Sequence, residues 1–252
     1  MNTPGDDEIL SFWNRTAQDW DIQVGREGDT NRILNSDPVL WAFAGDLRGR
    51  KVLDVGCGTG YLSKQATDRG ASVTGVDLSD RMIEIARGQY PSIEFRVDSC
   101  AELRTLGNAQ FDIVIANYVL MDTPELEATM HNFYRVLRDE GLAVLVFSHP
   151  CFPQGRAQVS TETQEVSYRW TFPYFERRQC VDPPWGHFTS DFIWFHRPLS
   201  DYWKAFRSAG FMTLEFEEPR VVTERYHLAP NPKTLADSKA RPYSVAFQLQ
   251  KQ

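Results

Sequence analysis

The sequence predicts an α/β fold, a doubly wound sheet with helices on both faces. Two observations carry this. Val52 to Val55 read as a buried strand that runs into a glycine turn, and Tyr61-Leu62-Ser63 then begin a helix. Strand and helix patterns alternate beyond that point, through Ala71 to Val76, Ile93 to Val97, Phe111 to Ala116 and Leu142 to Phe147. At 252 residues the chain is long enough for one large domain with a substantial core.

Composition narrows the function. The net charge is −7 with both signs interspersed, which disfavours nucleic acid as a partner, since that task shows a basic face. A small molecule is the better expectation. Cys57, Cys100, Cys151 and Cys180 are dispersed without a C-x-x-C pair, which argues against a metal site and for reduced thiols in a cytoplasmic compartment. The start, MNTPGDDEIL, lacks a basic region followed by an apolar one, and no apolar run approaches the roughly 20 residues that span a bilayer, so no membrane partner is expected. The oligomeric state is not readable from the chain.

The glycine turn lies in KVLDVGCGTGYL, residues 51–62. Glycine accepts a positive φ and lets the backbone approach a ligand, while the amides at the following helix start favour an anionic group. A dinucleotide turn, G-x-G-x-x-G, would need glycine at Tyr61, and the Gly-Lys-Ser/Thr of a phosphate loop is absent. What remains is D-x-G-x-G-x-G, from Asp54 through Gly56 and Gly58 to Gly60. It resembles the first motif of the class I S-adenosylmethionine (SAM) methyltransferases. The resemblance implies a Rossmann-like seven-stranded sheet with its last strand antiparallel, SAM as cofactor, and a methionine end held by Asp54 and the backbone of Gly56, Cys57, Gly58 and Gly60. A tight strand-to-helix turn without a ligand is the competing reading.

The elements follow in order. Asp6-Asp7-Glu8 give an acidic helix start, with Ile9, Phe12, Trp13 and Ala17 at helical spacing and Trp20 at the predicted helix end. By resemblance Trp20 closes over SAM, where a ring face would attract the sulfonium; core packing explains it equally well. Pro38 opens a second predicted helix through Leu40, Trp41, Phe43 and Leu47. After the turn, a helix ends near Gly70, and the second strand terminates at Asp77, a position suited to accepting hydrogen bonds from ribose hydroxyls. Ser79 caps a helix through Met82 that closes at Tyr90-Pro91. The family pattern places Leu78 and Met82 against adenosine.

The third strand runs into Asp98, Ser99 and Cys100. By resemblance these meet the adenine edge, and a turn or helix cap is the alternative. The fourth strand leaves Asn117 at the sheet edge, which the resemblance assigns to the SAM amino group; Asp122 stands where relatives often have histidine. A helix over 124–138 precedes the fifth strand, which delivers His149 to the same edge. A neutral imidazole there could take a proton during methyl transfer, which makes His149 the catalytic candidate, with a structural histidine as the alternative.

From Pro153 to Phe195 aromatic and polar residues alternate, predicting short strands in an aromatic-rich lid inserted after the fifth strand. A satellite core or a dimer contact would also suit this composition. A helix through Tyr202, Trp203 and Phe206, a strand through Leu214 and Phe216, and a last strand from Tyr243 to Leu249 complete the sheet. His187, His196 and Arg197 could face the substrate, with capping or surface solvation as the favoured reading, and 220–241 is read as a second mobile cover. The expected division is an N-terminal helical cap (1–50), a SAM-binding core (51–152), a substrate lid (153–197) and a C-terminal completion (198–252). The expected activity is SAM-dependent methyl transfer to oxygen or nitrogen, less readily carbon, of a small aromatic or apolar acceptor, with no metal. A non-catalytic adenosyl-binding regulator and a macromolecule methyltransferase are the alternatives.

Overall fold

The computed structural model describes residues 6–152, 157–160, 162–163 and 165–252. Residues 1–5 of the expected cap and 153–156 of the expected lid lie outside the described residues. The chain opens with α1 (Asp6–Val24), a π-helical turn (Arg32–Ser36) and α2 (Asp37–Ala44). There follow β1 (Lys51–Val55), α3 (Tyr61–Asp68), β2 (Ser72–Asp77), α4 (Asp80–Gln89), β3 (Glu94–Val97), β4 (Phe111–Asn117), α5 (Leu126–Val136) and β5 (Leu137–Ser148). Four short strands come next: β6 (Ala157–Val159), β7 (Val166–Tyr168), β8 (Arg178–Asp182) and β9 (Phe192–His196). The chain closes with α6 (Leu199–Ser208), β10 (Phe211–Glu217), a 3₁₀ helix (Thr223–Leu228), α7 (Pro232–Ala240) and β11 (Ser244–Lys251).

The main sheet has seven strands in the order β3-β2-β1-β4-β5-β11-β10, and β11 runs antiparallel between β5 and β10. This is the sheet that the resemblance implied. Strand alternation divides the core in two. Leu53 and Val55 of β1, with Val114 and Ala116 of β4, face the side packed by Met130, Phe133 and Phe206. Val52, with Ile113 and Ile115, faces the side packed by Leu40, Leu62 and Ile83. Both faces of the central strands are therefore sealed, which is why they are almost wholly apolar. The order reverses between β1 and β4, and the crevice this leaves at the strand ends is where an open α/β sheet binds ligands.

Several boundaries differ from expectation for local reasons. Trp20 lies inside α1, which continues to Val24 and stops at Gly25 with φ +56°. The π-helical turn ahead of α2 had no sequence signal, and Leu47 falls beyond α2, which Gly45 ends at φ +66°. Helix α5 begins at Leu126 and gives way at Leu137 directly to β5. That strand is irregular at its start: Phe111 pairs Leu137 but Ile113 pairs Leu142, and Glu140 takes φ +64° in the extra loop of chain. The aromatic stretch forms two hairpins, β6–β7 and β8–β9, with Pro183-Pro184 in the connection of the second.

Gly56 shows how tightly the crevice is built. Its φ is +65°, and a Cβ there would lie 2.4 Å from Cγ2 of Val119. Gly56→Ala is expected to destabilise the fold by about 1–3 kcal/mol from backbone strain and overpacking, read as a lowered urea midpoint. A midpoint equal to that of the parent would show that the turn relaxes freely.

Candidate functional site

The cradle forms where β1 ends. Gly56 and Gly58 take φ of +65° and +54°, folding the chain back so that the Cys57 amide reaches the Val76 carbonyl at 3.0 Å. Asp77 fixes this arrangement: Oδ2 accepts from the Gly58 amide and Oδ1 from the Ser79 amide, both at 2.9 Å. Ser79 caps α4 by accepting from the Met82 amide, and it donates to Asn14 Oδ1 at 2.5 Å, which ties α1 to the same corner. Asp54 is sealed at 1% exposure and accepts from Ser63 Oγ at 2.6 Å. Burial pushes its carboxyl up to about 7, with the charge of Asp77 adding to the rise and Ser63 opposing it.

The structure gathers almost all of the predicted cofactor residues around one cavity: Trp20, Asp54, Gly56, Cys57, Gly58, Asp77, Leu78, Met82, Asp98, Ser99, Cys100 and Asn117. Gly60 is the exception. It stands behind the turn at the start of α3, with φ +92°, and a Cβ there would meet Tyr90 at 2.9 Å and Phe95 at 3.0 Å. The close packing of helix on sheet leaves no room for a side chain there. Asp98 borders the cavity but also closes a turn, accepting from the Arg104 amide at 3.1 Å and the Thr105 amide at 2.7 Å. Asn117 donates weakly to Ser36 Oγ at 3.4 Å, while its Oδ1 is buried with no hydrogen-bond partner. A buried acceptor left empty costs about 1–3 kcal/mol, so this atom marks a place for a donor.

Above the cradle lies a second, larger cavity, and Trp13, Trp20, Arg32, Tyr118 and Asp122 line both. Its roof is the β8–β9 hairpin leaning on α1. Phe192 meets Phe12 edge-on at 5.3 Å, and Trp20 lies 6.1 Å from Phe188. Thr234 and Ser238 of α7 and Tyr243 ahead of β11 also line it. Trp20 thus packs against its neighbours and faces both cavities at once.

His149 is held through both of its ring nitrogens. It is 2% exposed; Nδ1 accepts from the Cys151 amide at 3.1 Å, which leaves Nε2 to donate to Glu218 Oε1 at 2.8 Å. Both nitrogens are occupied, and burial pulls the pKa of the ring below its usual value against the opposing pull of Glu218. These two partners fix the chain after β5, and taking a proton from an acceptor would require Nδ1 to give up the Cys151 amide. His196 is 1% exposed and bonded through Nε2 to the Tyr174 carbonyl at 2.7 Å, so it is no surface group. Arg197 is a buried clamp. Its guanidinium donates to the carbonyls of Leu120, Thr123 and Pro124.

Sequence reasoning missed Arg32 and Tyr118. Arg32 is 7% exposed, pairs with Asp29 at 2.6 Å, and holds its guanidinium over the rings of Trp20 and Tyr118. The i, i+3 spacing of Asp29 and Arg32 was the available signal. Tyr118 takes φ +59°, a strained value for an aromatic residue, and its hydroxyl contacts Asn31 and Ser244 at 2.5 Å each. Among the described residues no group of His, Cys, Asp and Glu could hold a metal ion, and no helix is long and apolar enough to cross a membrane.

The sheet order, the antiparallel last strand and the glycine cradle define the class I SAM methyltransferase fold. Comparison with known proteins agrees. Residues 52–141 match a family described as "Methyltransferase domain". A ubiquinone biosynthesis O-methyltransferase from Bordetella avium is 42% identical over 124 residues, which are 47% of this chain and 51% of that protein. A demethylmenaquinone methyltransferase from Lactococcus lactis subsp. lactis is 26% identical over 239 residues, covering 86% of this chain and 87% of that protein. The chain spans about half the length of the curated relatives that it matches at 42% and 32% identity. A solved S-adenosylmethionine dependent methyltransferase from Mesorhizobium loti shares the fold with a TM-score of 0.70 at 21% identity, over 84% of this chain and 96% of that one.

Asp54 gives the site a signature in stability. Its folded pKa of about 7 lies above the ordinary 3.8, so between those values the folded state keeps a proton that the unfolded state has lost. Stability attributable to this group therefore falls as pH rises through that window, and the penalty is complete above it. Asp54→Asn is expected to flatten the loss of stability between about pH 4 and about pH 7, measured by urea unfolding at each pH. An unchanged pH profile would place the buried proton elsewhere.

Proposed function

We propose that this chain is a SAM-dependent methyltransferase acting on a small aromatic acceptor in the cytoplasm, without a metal. The observation that carries the reading is the shared wall: a glycine cradle opens through Trp13, Trp20, Tyr118 and Asp122 into a roofed aromatic cavity. SAM, when bound, supplies the methyl group from its sulfonium. The residues present fit it. Asn117 Oδ1, an empty buried acceptor, suits the ammonium of the methionine end, and Asp54 with the backbone of Gly56, Cys57 and Gly58 lines the rest of that end. Asp77 spends one lone pair per oxygen on backbone amides and keeps others for ribose hydroxyls. Leu78 and Met82 offer apolar faces to the adenosine, with Asp98, Ser99 and Cys100 along its edge.

The acceptor belongs in the larger cavity, whose walls include Trp185, Phe192 and Trp194. Flat rings suit such walls. Two of the relatives are named for methylation in ubiquinone biosynthesis and of demethylmenaquinone, which favours a ring substrate, and the first name specifies oxygen. Holding acceptor and donor in one dry passage can supply about 7–11 kcal/mol of barrier reduction, so the chain's main work is orientation and exclusion of water. The lid (153–197), the cap (1–50) and the C-terminal completion (198–252) are read as the parts that select the acceptor around the core (51–152).

Calorimetric titration tests the reading. SAM and S-adenosylhomocysteine are expected to bind and NADH is not, and Asp77→Ala is expected to weaken SAM by about tenfold or more through loss of charge-assisted hydrogen bonds and of the turn they fix. Absence of adenosyl binding in the unaltered protein, or an unchanged affinity in the variant, would contradict the assignment of the cradle.

A further inference from the structure

A hydroxyl that is to be methylated must give up its proton, and a group that takes it has to reach both donor and acceptor. Of the residues shared by the two cavities, the rings of Trp13 and Trp20 have no basic lone pair and the Arg32 guanidinium is a donor with no acceptor. The Tyr118 hydroxyl is already held by Asn31 and Ser244. His149 lines only the larger cavity, with both nitrogens occupied. Asp122 is left. Among the described residues no hydrogen bond or ion pair engages its carboxyl, and its residue is only partly covered in the shared wall.

Its backbone, by contrast, is held firmly. The Asp122 amide donates to the Val119 carbonyl at 2.8 Å, and the Phe195 amide of β9 donates to the Met121 carbonyl at 2.7 Å. Arg197 grips the carbonyls of Leu120, Thr123 and Pro124 around it. A carboxyl without a partner on a segment this well fixed is arranged for a ligand, because a satisfied structural aspartate would be bonded within its own loop.

We propose that Asp122 is the general base of the reaction, taking the proton from a phenol-type hydroxyl of the acceptor. The inference rests on the methyl-transfer reading above. The hydroxyl proton passes to a carboxylate oxygen of Asp122, the hydroxyl oxygen forms the new O–C bond, and the C–S bond breaks with its electron pair left on sulfur, so that charge and atoms balance. Burial, reinforced by the charge of Asp77, raises the Asp122 pKa well above the ordinary carboxyl value, which strengthens it as a proton acceptor. The titratable and charged groups that share its cavities come from all sides: Asp54, Asp77 and Asp98 from the ends of β1, β2 and β3, Cys57 from the turn, Cys100 after β3, Tyr61 from α3, Asp29 and Arg32 at the π-helical turn, Tyr118 after β4, His149 after β5, Asp182 and His196 from the β8–β9 hairpin, Arg197 beyond it, Tyr202 from α6 and Tyr243 ahead of β11.

The test uses the charge difference between two ligands. SAM carries a sulfonium and S-adenosylhomocysteine does not, so SAM should lower the pKa of a carboxyl in the shared wall more than S-adenosylhomocysteine does, with proton release as the readout. Calorimetry in two buffers of different ionisation heat reads this excess. The unaltered protein is expected to show it, and Asp122→Asn is expected to lose most of it while keeping its affinity for S-adenosylhomocysteine within about twofold. Catechol is the acceptor probe: it should bind the S-adenosylhomocysteine complex, about tenfold more weakly in Asp122→Asn, with partial recovery in Asp122→Glu. An excess of released proton that persists in Asp122→Asn, or catechol binding that ignores the substitution or is absent from the unaltered complex, would overturn the proposal. Failure of the unaltered protein to bind S-adenosylhomocysteine would instead sink the methyl-transfer reading beneath it.

Discussion

The site depends on the carboxylate of Asp77. One side chain satisfies the amide of Gly58 in the turn after β1 and the amide of Ser79 at the start of α4. Without it two backbone donors at the crevice would lose their partner, each at a cost of about 1–3 kcal/mol, and the positive-φ turn would have nothing to hold it against the neighbouring strand. The corner extends further. Asn14 bonds both Ser79 and Asp80, so the same junction places α1, and with it Trp13 and Trp20.

This construction has an electrostatic cost that bears on function. Burial raises the pKa of Asp54, Asp77 and Asp122, and Asp77 adds to the rise at both of the others. Three acids in one weakly solvated crevice repel one another, and the buried cation among them, Arg32, is already paired with Asp29. Such a cavity gains most from a ligand with positive charge, which is the electrostatic character of a sulfonium joined to an ammonium. The roof has its own tie to the crevice. Through the Phe195 amide and the Arg197 guanidinium the aromatic insertion holds the segment after β4, so the part that roofs the larger cavity also fixes a wall of the smaller one.

How much of this could be read in advance follows from the range of each interaction. The sheet was legible because its strands are short apolar runs between turn residues, and most of the cradle was legible because D-x-G-x-G-x-G and Asp77 are set by local geometry and by the distance between adjacent strand ends. Gly60 belongs to the same motif but stands behind the turn, and what it makes room for depends on Tyr90 and Phe95, which arrive from later elements. His149 stood at the expected edge, yet its partner Glu218 lies 69 residues away, and no pattern around the histidine announces it. Arg197 was hidden likewise, because its carbonyl acceptors belong to a loop more than seventy positions earlier. Alternating aromatics did predict short strands in the insertion. That they form two hairpins, one leaning on α1, is a matter of tertiary packing.

The most direct measurement is a crystal structure of the chain with S-adenosylhomocysteine. The account predicts the amino group of the ligand within hydrogen-bond distance of Asn117 Oδ1, its ribose at Asp77, and its sulfur facing the passage lined by Trp20, Tyr118 and Asp122. A ligand seated elsewhere, or one whose sulfur is turned away from the aromatic cavity, would contradict it.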